Sequence, residues 1–187
     1  MRFAPFQILR TERLLLRKFR AEDATAYFSC LGSSEEVTKY MLWQPHQSIS
    51  ESEDSIRKTL CRYESATPYT WAITLQETGV LIGRVDLLRF DEQTNTCSFA
   101  YMLGVDFWNH GYGTEALNAA FNFAFSKLDV EGICADHMAD NPASGAVMCK
   151  LGMTNQGSIP NKYQKNGVWH DAICYRVTRK EWFSHEI

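Results

Sequence analysis

Hydrophobic and polar positions along the chain follow two periods, and the places where one gives way to the other mark the elements. LLLRKF at residues 14–19 reads as a strand, and AEDATAYFSCLG at 21–32 carries apolar residues at helical spacing up to a stop at Gly32. SSEEVTKYM at 33–41 predicts a short second helix. Residues 48–66 place Ser50 three positions before Glu53, the spacing of a capping box, and set Ile56, Leu60 and Tyr63 on one face, so a third helix is expected. The period then drops to two. Trp71, Ile73 and Leu75 alternate with polar or small residues in YTWAITL, QETG turns the chain, VLIGRVDLLRF follows, and TCSFAYMLG comes after DEQTN. Three strands joined by short turns predict an antiparallel meander.

Beyond residue 104 the order becomes glycine loop, helix, strand, helix and strand. TEALNAAFNFAFSKL presents Ala116, Ala120, Phe123 and Leu128 to a core, GICADHM is a short strand, and NPASGAVMCKLG is a helix opened by Asn141 and Pro142 and closed by Gly152. A strand at MTNQGSI, a loop at PNKYQKNG and a last strand at VWHDAICYRV complete the chain. No repeat, low-complexity tract or linker interrupts it. The expectation is one domain over residues 1–187, α/β (α+β) in class, with a mixed, mostly antiparallel sheet, helices on both faces and one helical crossover.

Length and charge narrow the function. A chain of 187 residues buries one sizeable core, and its net charge of −3 argues against a nucleic-acid surface. Arg13, Arg17, Lys18 and Arg20 cluster in RLLLRKFR, where alternation suits a strand with one solvated face. No apolar run reaches the ~18–20 residues of a membrane span, and no signal-peptide pattern precedes the first charged strand. The six cysteines are spread without a C-x-x-C pair and read as reduced thiols, so a cytoplasmic protein is expected.

The stretch DFWNHGYGTEA carries the candidate chemistry. Gly111 and Gly113 lie between a strand and a helix, where main-chain N–H groups converge with the positive end of the helix dipole behind them. Such a loop binds anions, and glycine permits close approach and unusual φ values; a plain tight turn would use the same residues. GYGTEA also satisfies G-x-G-x-x-A, the dinucleotide fingerprint, with Asp129 and Glu131 further on. That architecture wants the fingerprint at its first strand and parallel units after it, whereas three antiparallel strands precede it here.

The string WNHGYGTEA, followed by NPASGAVMCKLG and the tail NGVWHDAICY, resembles the GNAT superfamily of acetyl-CoA-dependent N-acetyltransferases, and more narrowly the branch of ribosomal-protein N-terminal alanine acetyltransferases. TERLLLR, AEDA and EVTKYM near the start belong to the same pattern, so the likeness runs from about Thr11 to Val177. The resemblance implies that the pyrophosphate of coenzyme A sits on Asn109, His110, Gly111, Tyr112, Gly113 and Thr114. It implies that the pantetheine arm pairs with Tyr101, Met102 and Leu103, where the N–H of Met102 or Leu103 polarises the thioester carbonyl. It also implies that Asn141 bonds the pantetheine and that Ser144 lies near the sulfur as a proton donor, although both residues equally suit a plain helix start.

Relatives carry Glu on the central strand, and that position is Ser98 here. Met153 also departs from the usual Phe, and Trp108 from the Gln or Arg of the wider superfamily. The base is therefore open. Asp86 and Tyr163 are candidates for handling the ammonium proton, and Trp43, His46, Ser98 and Tyr163 for lining the acceptor site, with Lys162, His170 and Asp171 nearby. Glu115 suits the helix dipole without any catalytic role. Cys134 and His137 lie on opposite faces of a strand, so no metal site is expected.

The sequence thus reads as an enzyme that moves acetyl from acetyl-CoA directly to a primary amine. A protein or peptide N-terminus is favoured over an aminoglycoside, polyamine or amino acid, with a coenzyme A-binding module lacking catalysis as the remaining alternative. No membrane partner is expected. A homodimer through the meander or the last strand is compatible with the chain.

Overall fold

Burial alternates along Leu14–Arg17 and is nearly continuous through Thr70–Leu75 and the first part of Leu81–Asp91, as expected for a sheet covered partly on both faces. In the computed structural model, which describes residues 3–184, the strands are β1 (Leu9–Arg10), β2 (Leu14–Arg17), β3 (Thr70–Leu75), β4 (Leu81–Asp91), β5 (Thr96–Leu103), β6 (Gly132–Met138), β7 (Thr154–Lys165) and β8 (Val168–Thr178). They form one eight-stranded sheet in the order β1-β2-β3-β4-β5-β6-β8-β7. Only β5 and β6 pair in parallel. That junction needs a crossover, supplied by α4 (Tyr112–Phe123) and the π-helical turn Ala124–Leu128.

The sheet separates two apolar clusters. Residues of α4, including Ala116, Leu117, Ala120 and Phe121, pack on Ile73, Val85, Phe99 and Leu103, joined by Met148 of α5 (Pro142–Lys150) and Trp182 of α6 (Arg179–Ser184). On the other face α1 (Asp23–Tyr27), α2 (Glu35–Thr38) and α3 (Ile49–Arg62) place Ala24, Tyr27, Val37, Ile56 and Tyr63 over Ala72 and Leu81. The expected mixed, mostly antiparallel sheet with helices on both faces is therefore present.

Several local expectations change. The first helix stops at Tyr27 and continues as a π-helical turn, Phe28–Gly32, whose last residue, Gly32, packs where a Cβ would come within 2.8 Å of His46 Nδ1. The second helix shrinks to Glu35–Thr38, capped by the Ser34 hydroxyl accepting from Val37 N–H at 3.2 Å. S-x-x-E occurs twice between residues 48 and 53, and the third helix starts at the earlier copy: Ser48 is the N-cap without a side-chain cap bond, and Glu51 accepts from Gln47 N–H at 3.3 Å.

PNKYQKNG is not a loop. β7 runs through it to Lys165, with a bulge that absorbs Pro160 and puts Asn161 at φ 50°, its N–H donating to Asp171 at 2.9 Å. The turn is the Asn166–Gly167 pair, both at positive φ. β1 was too short to show a period. α6 opens on a Thr178–Glu181 capping box at the chain's last turn.

Candidate active site

The loop ahead of α4 is built to receive an anion. Asn109 and Gly111 adopt positive φ, 62° and 81°, on either side of His110, so successive N–H groups turn toward one side. Main-chain N–H groups at residues 109–114 make no hydrogen bond to any described residue, and the first intrahelical bond runs from Glu115 N–H to Gly111 carbonyl. Arg13 fixes the loop from outside: its guanidinium donates to the His110 carbonyl at 2.9 Å, lies 4.4 Å over the Tyr112 ring and pairs with Glu115 at 2.6 Å. Burial pushes the Glu115 carboxyl up, but hydrogen bonds from Thr11, Arg13 N–H and the Arg13 side chain outweigh it and hold the group below its ordinary value. Glu115 is thus a structural clamp.

Behind the loop the sheet opens. β5 and β6 pair only from Thr96↔Gly132 to Ser98↔Cys134, and the two strands run on unpaired beyond that point. Register decides which main-chain groups face the opening. Gly104 N–H donates to the Ile82 carbonyl, so the alternating ladder turns Met102 toward β4, and Tyr101 and Leu103 toward the gap. The Leu103 carbonyl is occupied by the Trp108 indole N–H at 2.8 Å. Both groups of Tyr101 and the N–H of Leu103 therefore face the gap. An amide-bearing arm lying there would complete the edge of β5, and of the two N–H groups considered from sequence only Leu103 points the right way.

The two faces of the opening differ. On the α4 side, the Tyr101 ring lies against Gly113, and burial raises its phenol pKa while the Ser144 side chain opposes that shift as a hydrogen-bonding neighbour. Asn141 caps α5 by accepting from Ser144 N–H at 3.3 Å. Tyr101, Gly113 and Ser144 are therefore brought together.

The opposite side, floored by Ser98, the exposed Ala100 and Met102, is the one the sequence marks for the acceptor. Ser98 donates to the Leu88 carbonyl at 3.3 Å, and Met102 meets the Tyr27 hydroxyl at 4.0 Å. His46 packs between Tyr27 and Trp43, with ring centroids at 6.1 and 5.1 Å, and its Nδ1 contacts the Ser52 hydroxyl at 2.7 Å. Burial lowers the His46 pKa against the opposing pull of Glu51.

Carboxylates on this face are neutralised. Asp86 is buried and accepts from Arg84 at 2.7 and 2.8 Å and from Thr70 at 2.7 Å, which leaves it no room to meet an incoming ammonium. The inward-facing acid expected at Asp86 is a buried ion pair beneath α3. Asp136 on β6 was missed in the sequence, although it is the acidic residue of GICADHM and lies next to His137. It accepts from Lys162 Nζ at 2.7 Å and, in a short hydrogen bond, from the Tyr163 hydroxyl. Burial and Asp136 both raise the Tyr163 pKa, so this phenol is held protonated.

A strap closes the acceptor side. Lys165 Nζ donates to the Thr38 and Met41 carbonyls, both at 2.6 Å, and Gln44 donates to Asn166 at 2.6 Å, joining the β7–β8 hairpin to the α2–α3 connection. His170 and Asp171 lie away from it, on Asp140 and the Asn161 N–H. Cys134 faces the acceptor side, whereas His137 stacks on Tyr175 under α5. A cavity of about 990 Å³ lies outside the reaction centre, between residues 7–12 and the outer face of α4, and adjoins the anion loop at Gly111 and Thr114.

A loop of unpaired amides ahead of a helix, beside a sheet that opens where β5 and β6 part, is a geometry suited to an acyltransferase fed by a nucleotide-linked carrier. The chain belongs to the GNAT acetyltransferase family, whose domain profile, described as Acetyltransferase (GNAT) domain, matches residues 13–154. It is an N-acetyltransferase, and acetyl-CoA is its cofactor. The N-acetyltransferase YoaA of Bacillus subtilis, whose function is uncharacterised, is 28% identical over 174 residues, 93% of this chain and 98% of that protein. The [ribosomal protein uS5]-alanine N-acetyltransferase of Escherichia coli is 26% identical over 88 residues, covering 47% of this chain and 45% of its own. The spermidine N(1)-acetyltransferase of Vibrio cholerae is 20% identical over 160 residues, 86% and 90% of the two chains. Among solved structures, the microcin C7 self-immunity acetyltransferase MccE, in complex with acetyl-CoA and AMP, superposes with a TM-score of 0.80 at 21% identity over 90% of this chain and 93% of its own.

Proposed function

We propose that the acceptor is the α-amino group of a protein or peptide N-terminus, acetylated by direct transfer within one domain in the cytoplasm. One observation carries this reading: the sheet's carboxylates on the acceptor face are each held by a cation, Asp86 by Arg84 and Asp136 by Lys162, and the central-strand position is Ser98. No strong base among the described residues faces the amine, so the acceptor has to arrive with an appreciable neutral fraction. An α-amine with pKa ~7.7–8.0 is roughly a quarter to two fifths neutral near pH 7.5, whereas a lysine or polyamine amine near ~10.4 is only about 0.1% neutral. Paired carboxylates also offer little to a polycation. The strap from Lys165 and Gln44 favours an acceptor that enters end-on. The uS5-alanine relative supports this class, and the spermidine relative supports the competing one.

In this reading the N–H groups of residues 109–114 hold the pyrophosphate, with the Thr114 hydroxyl beside them. Leu103 N–H receives the charge that develops on the carbonyl oxygen, and Ser144 beside Tyr101 supplies a proton to the departing thiolate. Tyr163, whose hydroxyl donates to Asp136, orients the neutral amine by accepting from its N–H. The test is thiol release from acetyl-CoA with free-N-terminal peptides, N-blocked lysine peptides, spermidine and aminoglycosides. At pH 7.5 the neutral fractions alone favour the free α-amine by roughly a hundredfold or more over lysine. Preference for spermidine or an aminoglycoside overturns the acceptor class, and coenzyme A binding without turnover across the panel overturns catalysis.

A further inference from the structure

Four residues run in register across the acceptor face: Leu88, Ser98, Cys134 and Arg176, on β4, β5, β6 and β8. Cross-strand partners in register point to one face, so the Arg176 side chain shares the face of Ser98. Its guanidinium lies beside Gly132, Nε and Nη2 being 3.3 and 3.4 Å from the point a Gly132 Cβ would occupy, level with Thr96 and on the side of the row farther from Tyr101.

On the other side of the same row the β4–β5 ladder slips between Leu88 and Asp91, and Arg89 sits in the slip at φ 49°. That left-handed conformation is unfavourable for a non-glycine residue, and such conformations gather at functional sites. The bulge turns the Arg89 guanidinium to the acceptor side, where its charge bears on the Tyr163 phenol. Neither guanidinium donates a hydrogen bond or forms an ion pair with a described residue. Asp136, two residues along β6 from Cys134, is already taken by Lys162 and Tyr163. In a chain of net charge −3, this face holds unspent positive charge along the sheet from the site of transfer.

We propose that Arg89 and Arg176 select acceptors carrying a carboxylate side chain a few residues in from the amine that is acetylated. The proposal rests on the peptide-acceptor reading and names the class of peptide. The stretch of β5 from Ser98, level with Arg176, back to Thr96, level with its guanidinium, lies three to seven residues from Tyr101 and Leu103, roughly 10–23 Å at ~3.3 Å per residue. An extended acceptor covers that span with about three to seven residues, so the preferred Asp or Glu stands between positions 3 and 7. Acidic peptides are drawn in by both guanidiniums, and basic peptides are repelled by them.

Peptides sharing one N-terminal residue and bearing Glu, Gln or Lys at one of positions 3 to 7 provide the test, with kcat and KM measured for the protein and for the Arg89→Ala/Arg176→Ala double variant. The Glu peptides are expected to exceed the Lys peptides about tenfold in kcat/KM at the best position, mainly through KM, since pairs with exposed guanidiniums are individually weak. In the double variant the ratio falls below twofold, and Arg89→Lys with Arg176→Lys restores most of it. Because the readout is a ratio within one preparation, a loss of folded protein cancels. A ratio near one in the parent protein, or a ratio that survives in the double variant, overturns the proposal. The Gln peptides separate the two failures: if they are acetylated while charge makes no difference, only the charge selection falls. If no peptide is turned over and small amines are, the peptide reading falls and this selection with it.

Discussion

Gly111→Ala tests the anion loop directly, because the structure separates its two possible costs. The added Cβ meets only the Arg13 Nη2, at 3.4 Å, so space is not the obstacle. Conformation is: φ is 81°, and a residue with a Cβ pays ~1–2 kcal/mol to stay in the left-handed region. If the loop holds its shape, the strain lowers the melting temperature by about 2–8 °C for a chain of this size and coenzyme A affinity changes little. If the loop relaxes, the strain vanishes and at least one N–H turns from the diphosphate. A hydrogen bond to a charged group is worth ~1.5–3 kcal/mol, so affinity falls about 10- to 150-fold.

Gly113→Val adds a different perturbation at ordinary helical geometry. Its Cβ would stand 3.4 Å from both Leu103 Cδ1 and Tyr101 Cε2, and the branching methyls press further, pushing the start of α4 off β5 at ~1–3 kcal/mol. Calorimetric titration of coenzyme A and a thermal melt, run on both variants with circular dichroism as the fold control, resolve these cases. Affinity within twofold of the parent for both variants, in natively folded protein with unchanged melting temperature, refutes the assignment of the loop.

The remaining predictions concern the support around the site. Asp86→Ala leaves Arg84 buried without its partner and is expected to cost ~3–5 kcal/mol in urea denaturation, far more than an exposed pair would. Ser144→Ala is expected to lower kcat by about tenfold without abolishing turnover, because a thiolate of pKa ~8.5 needs less help from a proton donor than an alkoxide; single-turnover kinetics check this. Glu115 has a folded pKa below its unfolded one, so its stabilisation is full above the unfolded carboxyl range and is lost as pH falls through the folded value. Glu115→Gln therefore flattens the acid limb of stability against pH, visible as a smaller difference between melts at pH 7 and pH 3.

The sequence by itself determined the order of elements, the glycine loop and both helix starts beside the site. Each rests on local chemistry: the φ freedom of Gly111, the cap of Asn141, the period-two run from Trp71 to Leu75. It also marked Tyr163, Ser144, Trp43 and His46 as candidates, and the fold brings Ser144 to Tyr101, and Trp43 and His46 to one wall. Tertiary structure alone decided which carboxylates are free. Asp86 looks like an acid on a central strand until Arg84, two residues away on the same face, and Thr70 from the neighbouring strand close on it. Asp136 acquires its meaning only when β7 continues through Pro160 and carries Lys162 and Tyr163 across β8 to reach it. A charge is a property of a residue, but whether it is spent is a property of what lies across the sheet, and cross-strand pairings such as Thr70 with Asp86, 16 residues apart, or Lys162 with Asp136, 26 apart, leave no period to read.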